Sequence, residues 1–248
     1  MQPHRGPRFG TERWFVFITN KTMQFTNFAR TWWWLVHKDL QREWRAPRVW
    51  PVMLLLGIVL ALIIEMQLEL SQELKQTVVG GMFWIAVFFA GTVSLDRSFS
   101  SEADEGCWLG LLLYPITPAG IYLAKLTLNC IALGCLNALL VPAFAVFSDV
   151  SLLGRPYPFL MILLVANLGF AAVGTLLSAL TNGLRQRSSL LILLVLPLAS
   201  PVMLGAAQAT RALIAGSDEW WRWFMLLVCF AALFVPLGAL VFEFVIED

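Results

Sequence analysis

The chain has 248 residues, of which 59% are apolar and 13% charged, against about 45–50% and about 25% in ordinary soluble domains. That balance argues against a soluble enzyme, and the formal net charge of +1 points to no nucleic-acid partner. What decides the class is whether the apolar residues gather into runs able to cross a bilayer, about 20 residues at a helical rise of about 1.5 Å.

In chain order, residues 1–22, MQPHRGPRFGTERWFVFITNKT, are polar, broken by Gly and Pro, and without a clear period. Residues 1–26 are expected to form a disordered N-terminal extension, with Met23 a second candidate start. Next, NFARTWWWLVHKDLQREWRA (27–46) places Phe28, Trp32, Val36, Leu40 and Trp44 four apart. Arg30, His37, Lys38, Gln41 and Arg45 fall on the other side. The spacing predicts an amphipathic helix over 27–47, lying in the lipid headgroup region and turning at Pro47 and Pro51.

Residues 48–248 are expected to form the membrane domain. Charge-free runs occupy 49–64, 76–95, 106–124, 126–148, 156–184, 188–210 and 223–242, with lengths of 16, 20, 19, 23, 29, 23 and 20. A charge at the centre of a membrane helix costs about 2.5–3.5 kcal/mol, so such runs are what a lipid solvent selects. The run at 106–124 differs, because Pro115, Pro118 and three glycines interrupt it. It is expected to be re-entrant or interfacial, leading into a helix that begins near Ile121. Six spans remain, and the predicted fold class is an all-α polytopic membrane protein.

Charge orients the spans. Residues 1–49 hold nine Lys/Arg against three acids, a net of +6, while residues 50–248 hold eight against thirteen, a net of −5. The positive-inside rule then predicts cytoplasmic termini. Inner loops fall near 96–120 and 181–189, and outer ones near 66–77, 149–156 and 211–222. On that count Lys125 is left aside, near the start of a span.

Chemistry is sparse at membrane depth. Glu65 and Glu243 sit at run ends, and the two histidines, His4 and His37, both lie in the basic front end. Coupling to a proton gradient is therefore disfavoured. No H-E-x-x-H and no G-x-x-x-x-G-K-[ST] occurs, so neither a zinc protease helix nor a nucleotide-holding P-loop is present. His37, alone on a charged face, reads as solvated rather than as a metal or haem ligand. Cys107, Cys130, Cys135 and Cys229 read as small hydrophobes, as do Met161 and Met203. No resident metal or cofactor is expected.

The remaining feature is the long inner loop from Leu95 to Lys125, acidic at Glu102, Asp104 and Glu105 and then apolar. From composition alone, a solvated loop and a partner-docking surface are equally good readings. The stretch from Phe99 to Lys125 carries Glu105-Gly106, then Leu111, Leu112 and Leu113, Pro115, Pro118 and Ala124-Lys125. It resembles the signature of permeases of the second ABC-exporter class. Further on, SALTNGLRQRSSLLILLVLPLASPVMLG (Ser178 to Gly205), with Gly183, Leu184, Pro197 and Pro201, is similar to one branch, the CcmB-type permeases of cytochrome c maturation. Trp108-Leu109 and Tyr114 depart from that pattern.

The resemblance implies a six-helix permease that is not itself an enzyme and works with a cytoplasmic ABC ATPase subunit that binds and hydrolyses the ATP. It also implies a haem-handling membrane protein, a small single-span subunit, a haem chaperone and a second copy of the chain as partners, with haem as a possible cargo. Arg97, Phe99, Glu102, Asp104, Glu105 and Gly106 would dock the ATPase, with Arg185 and Arg187 as a lesser contact. The broader class motif equally allows export of another apolar or amphipathic compound, and a purely structural assembly subunit is a third reading.

Overall fold

The computed structural model of the chain describes residues 32–43, 45, 50–67, 72–96, 117–148, 150, 152, 154–181 and 187–247. Among them the regular elements are all helices. They are α1 (32–43), α2 (Trp50–Gln67), α3 (Gln72–Asp96), α4 (Pro118–Ser148), α5 (Pro156–Leu180), α6 (Arg187–Ile214) and α7 (Trp220–Glu247). The last five are long and apolar enough to cross a membrane. The 18 residues of α2 reach about 27 Å, close to the thickness of the hydrocarbon layer. The all-helical polytopic expectation holds. The extension 1–26 and the re-entrant stretch up to residue 116 lie outside the described residues.

Helix ends follow local chemistry. Pro118 opens α4 three residues before the expected start at Ile121, since proline suits a first turn whose N–H is unpaired anyway. The Thr117 carbonyl accepts the Gly120 and Ile121 N–H groups. At the end of α6, Gly216 has φ of 72°, where only glycine is unstrained. The Gly216 N–H then reaches the Leu213 carbonyl and the Ser217 N–H the Ala212 carbonyl, a Schellman closure. Ser217 Oγ accepts the Glu219 N–H at 3.2 Å, just before α7.

Prolines inside the spans need local repair. Pro201 has no N–H, so the Pro197 carbonyl loses its helical donor. The Ser200 hydroxyl donates to that carbonyl at 2.8 Å, near the middle of α6. The two prolines singled out in the sequence thus form one unit with the serine between them, which keeps a backbone acceptor satisfied at membrane depth.

Helix α5 is central and packs against α3, α4, α6 and α7, while α2 lies outside α3 and α4. Lipid supplies no hydrophobic drive for this assembly, so close approach at small residues and polar contacts must hold it. Gly91 admits Leu133 and the Phe170 ring, and Gly174 admits Leu95. Phe83 packs edge-on to Phe144 and Trp84, with ring centroids 5.6 and 5.4 Å apart. Trp84 Nε1 donates to Thr210 Oγ1 at 3.0 Å, tying α3 to α6.

The α4–α5 seam carries three such contacts. Asn129 Nδ2 donates to Thr175 Oγ1 at 2.8 Å, Asn137 Nδ2 to Asn167 Oδ1 at 2.9 Å, and the Tyr122 hydroxyl to the Ala172 carbonyl at 3.2 Å. The asparagine pairs advance eight residues along α4 (129 to 137) and eight back along α5 (175 to 167), which is antiparallel register.

Two stability outcomes follow. Gly174→Ala forces a methyl into Leu95 and should destabilise the chain by about 1–3 kcal/mol. Gly134→Ala, where nothing lies within 4 Å, should be neutral or gain up to about 1 kcal/mol of helix propensity. Tryptophan-fluorescence melting in detergent checks both. Ser200→Ala should cost about 1 kcal/mol in the native background, and nothing in Pro201→Ala, where a restored N–H serves the Pro197 carbonyl. Equal costs in the two backgrounds would refute the repair.

Candidate functional site

Of the residues singled out for docking, Arg97, Phe99, Glu102, Asp104, Glu105, Gly106 and Arg185 lie outside the described residues. So do Leu111, Leu112, Leu113, Pro115, Gly183 and Leu184. Arg187 opens α6, where only its backbone is described. Pro118, Lys125, Pro197 and Pro201 are in place, the first two on the opening turns of α4. The structure therefore presents the end of the bundle that flanks the acidic loop: the close of α3 at Asp96, the start of α4, and α1 beside it.

Helix α1 turns its four-residue stripe inward where that stripe is described, with Leu35 and Asp39 beside it. Leu35 and Val36 are buried, and Trp32 packs against the core. Asp39, one turn further along that face, is 11% exposed. Trp33 and Trp34 are instead 61% and 62% exposed, beside exposed His37, Lys38, Gln41 and Arg45. Phe28 and Trp44 of the expected stripe lie outside the described residues. The stripe does not single out Asp39 on that face, where a distant contact holds it.

That contact is ionic. Lys125 Nζ donates to Asp39 Oδ2 at 2.8 Å, with the lysine side chain 4% exposed. The two residues are 86 positions apart. Lys38 Nζ approaches the other carboxylate oxygen at 3.6 Å from an exposed position, which adds little. Removing one partner of a pair this buried leaves an uncompensated charge, a loss of about 3–5 kcal/mol. A second tie lies one turn on, where Glu43 Oε1 accepts the Trp50 N–H at 2.9 Å. That N–H opens α2 and has no partner within its own helix, and a carboxylate there also suits the helix dipole. Helix α1 thus bridges the starts of α2 and α4.

Sequence reasoning left Lys125 out of the loop charge count and named it only within the permease signature, and it counted Asp39 only towards net charge. The available signal was that Lys125 stands alone between two long charge-free runs, a position a lysine holds only with a partner. Nothing local identified Asp39 as that partner.

Elsewhere on α1, the Trp33 ring stacks on the His37 imidazole with centroids 6.5 Å apart, and Gln41 Nε2 lies 2.7 Å from His37 Nε2. Among the described residues no group of three or more His, Cys, Asp or Glu is placed to hold a metal. At the opposite end of the bundle, Tyr157 and Trp221 are 80% and 50% exposed, with Trp220 and Trp223 half-buried. Tryptophan and tyrosine in such a collar mark a membrane–water boundary.

This bundle, with its preceding helix, is similar to known proteins. The family described as CcmB protein matches residues 30–247. Heme exporter protein B of Pseudomonas aeruginosa is 32% identical over 147 residues, 59% of this chain and 65% of the relative. Heme exporter protein B of Paracoccus denitrificans is 32% identical over 139 residues, 56% and 63% of the two chains. That of Rhodobacter capsulatus is 28% identical over 181 residues, 71% and 81%. The first two matches span just under two thirds of the relatives' own length. The family match runs from just before α1 to the last residue of α7, so the surface helix and all the spans fall within it, and the chain is a multi-pass membrane protein belonging to the CcmB family.

Proposed function

We propose that this chain is the membrane permease subunit of an ABC transporter complex in cytochrome c biogenesis. The observation that carries the reading is the family match over residues 30–247, which takes in α1, the apolar bundle and the segments between them. In this reading a cytoplasmic ATPase subunit hydrolyses ATP and closes against the end of the bundle that carries α1. The permease passes that closure across the membrane, to haem export or to release of the haem-loaded chaperone. A haem-handling membrane protein, a small single-span subunit and a second copy of the chain complete the complex.

Several physical features support this division of labour. The sequence has no P-loop and no carboxylate or histidine in the middle of a span, so the driving energy enters from a partner. No side chain is proposed to hold haem or metal permanently. Haem is treated as cargo, and ATP as the partner's ligand. Arg97, Phe99, Glu102, Asp104, Glu105 and Gly106 dock the ATPase in this reading, with Arg185 and Arg187 on the neighbouring connection.

The charge bias of the first 49 residues supports placing both termini in the cytoplasm of a bacterium, with the chain in its inner membrane. Helix α1 then lies at the inner headgroup layer. Trp33 and Trp34, exposed beside Lys38 and Arg45, suit a surface of anionic lipid.

The docking assignment is tested by combining Glu102→Lys, Asp104→Lys and Glu105→Lys in a host lacking its own copy of the permease. ATP hydrolysis should persist while the yield of haem-bearing cytochrome c falls at least about tenfold. Wild-type yield from the triple variant would overturn the assignment. A C-terminal alkaline phosphatase fusion should be inactive, as expected for a cytoplasmic tail, and activity would reverse the orientation.

A further inference from the structure

The tie between α1 and α4 is built differently from the other contacts in the bundle. Most helix contacts here are apolar and rest on fit, with no charge pair to fix them. Asp39 and Lys125 are oppositely charged, 2.8 Å apart, and 11% and 4% exposed. Separating them by a few ångströms in a medium of low dielectric is strongly opposed. One turn further along α1, Glu43 holds the opening N–H of α2, so α1 is fixed to two spans at once. Lys125 also stands at the foot of the polar seam, four residues before Asn129, whose amide reaches Thr175 on α5. Eight residues beyond that, Asn137 reaches Asn167.

We infer that the Asp39–Lys125 pair is a rigid joint that makes α1 and α4 move as one body, with Lys125 the positioning residue that hands displacement of α1 on to the α4–α5 seam. For its biological consequence the inference rests on the function proposed above. Its mechanical content does not. A clamp that merely held α1 in place would work equally well if it were apolar. A joint that must not slip would not.

The experiment compares Asp39→Lys, Lys125→Asp, the charge swap combining the two, and the apolar pair Asp39→Leu with Lys125→Met. Each is produced as the full chain with its ATPase and the other subunits of its complex. The single variants should lower cytochrome c yield at least about tenfold, and the swap should bring it back to within about threefold of wild type. The apolar pair should co-purify the ATPase and sustain hydrolysis at wild-type levels, yet stay about tenfold low in cytochrome c. Recovery of cytochrome c by the apolar pair would reduce the contact to a clamp and overturn the inference. So would a swap no better than the singles.

A second readout needs no transport activity. Spin labels at Trp34→Cys on α1 and at exposed Cys135 on α4, with the other cysteines replaced by serine, report the distance between the helices. One narrow distribution is expected for the native pair and the swap, and a broad one for the apolar pair. Equal widths would overturn the inference. If the wild-type chain itself supports no cytochrome c maturation, the proposed function fails, and these distances still decide the joint.

Discussion

Hydrocarbon offers a polypeptide no hydrogen-bond partner and gives two apolar helices no hydrophobic reward for meeting. Every backbone polar group at membrane depth must therefore be satisfied within the protein, and every helix contact must rest on fit or on a polar pair. The first demand accounts for the Ser200 hydroxyl at the Pro197 carbonyl, where a missing N–H at Pro201 would otherwise strand an acceptor. The second accounts for Gly91 and Gly174, which let neighbouring side chains reach the helix backbone. It also explains why Asn129, Asn137, Asn167 and Thr175 are all buried at the α4–α5 interface. Interhelical hydrogen bonds in membranes contribute only about 0.6 kcal/mol on average, up to about 1.7. Their greater value here is register, since two asparagine contacts eight residues apart, one to a hydroxyl and one to an amide, allow a single alignment of α4 on α5.

The same solvent explains the treatment of charge. A lysine one or two turns inside a span would be excluded unless neutralised, and the chain supplies a carboxylate from outside the bundle rather than from a neighbouring span. That choice has a structural consequence. Because Asp39 belongs to α1, satisfying Lys125 also recruits a helix that the bilayer alone would hold only by its exposed tryptophans. The burial of Leu35 and Val36 on the same face follows from this anchoring, and the cationic residues are left to the outside.

Legibility in the sequence divides along the range of the physics involved. Transfer into lipid acts residue by residue, so the charge-free runs locate the spans well: α3 closes at Asp96 and α4 ends at Ser148, next to Asp149. The third run lies outside the described residues up to residue 116, and Pro118 near its end opens α4. Long-range pairing is a different matter. The period of four found the inward side of α1 at Trp32 and Val36, but not the ion pair that fixes it, which joins Asp39 to a residue 86 positions away. The Pro197–Pro201 motif was visible as a resemblance, whereas the role of Ser200 between the prolines needed coordinates. The residues proposed for docking in the acidic loop, and Arg185, fall outside the described residues.

Among the described residues the two ends of the bundle are tied with unequal strength, and on the function proposed above this bears on how an externally driven permease works. At the α1 end, a buried ion pair and a carboxylate on a helix N-terminus join three helices. At the other end, Arg155 approaches Asp218 at 3.9 Å and the Gly216 carbonyl at 3.4 Å, between side chains open to solvent, where such contacts are worth about 0–1 kcal/mol. The interior seam consists of amides and hydroxyls that stay neutral across the physiological pH range. Neither pH nor membrane potential then acts directly on the seam. A firm attachment where the force enters and a loose one where it leaves is the asymmetry that a transmitter requires. A scaffold that only held its partners together would gain nothing from it.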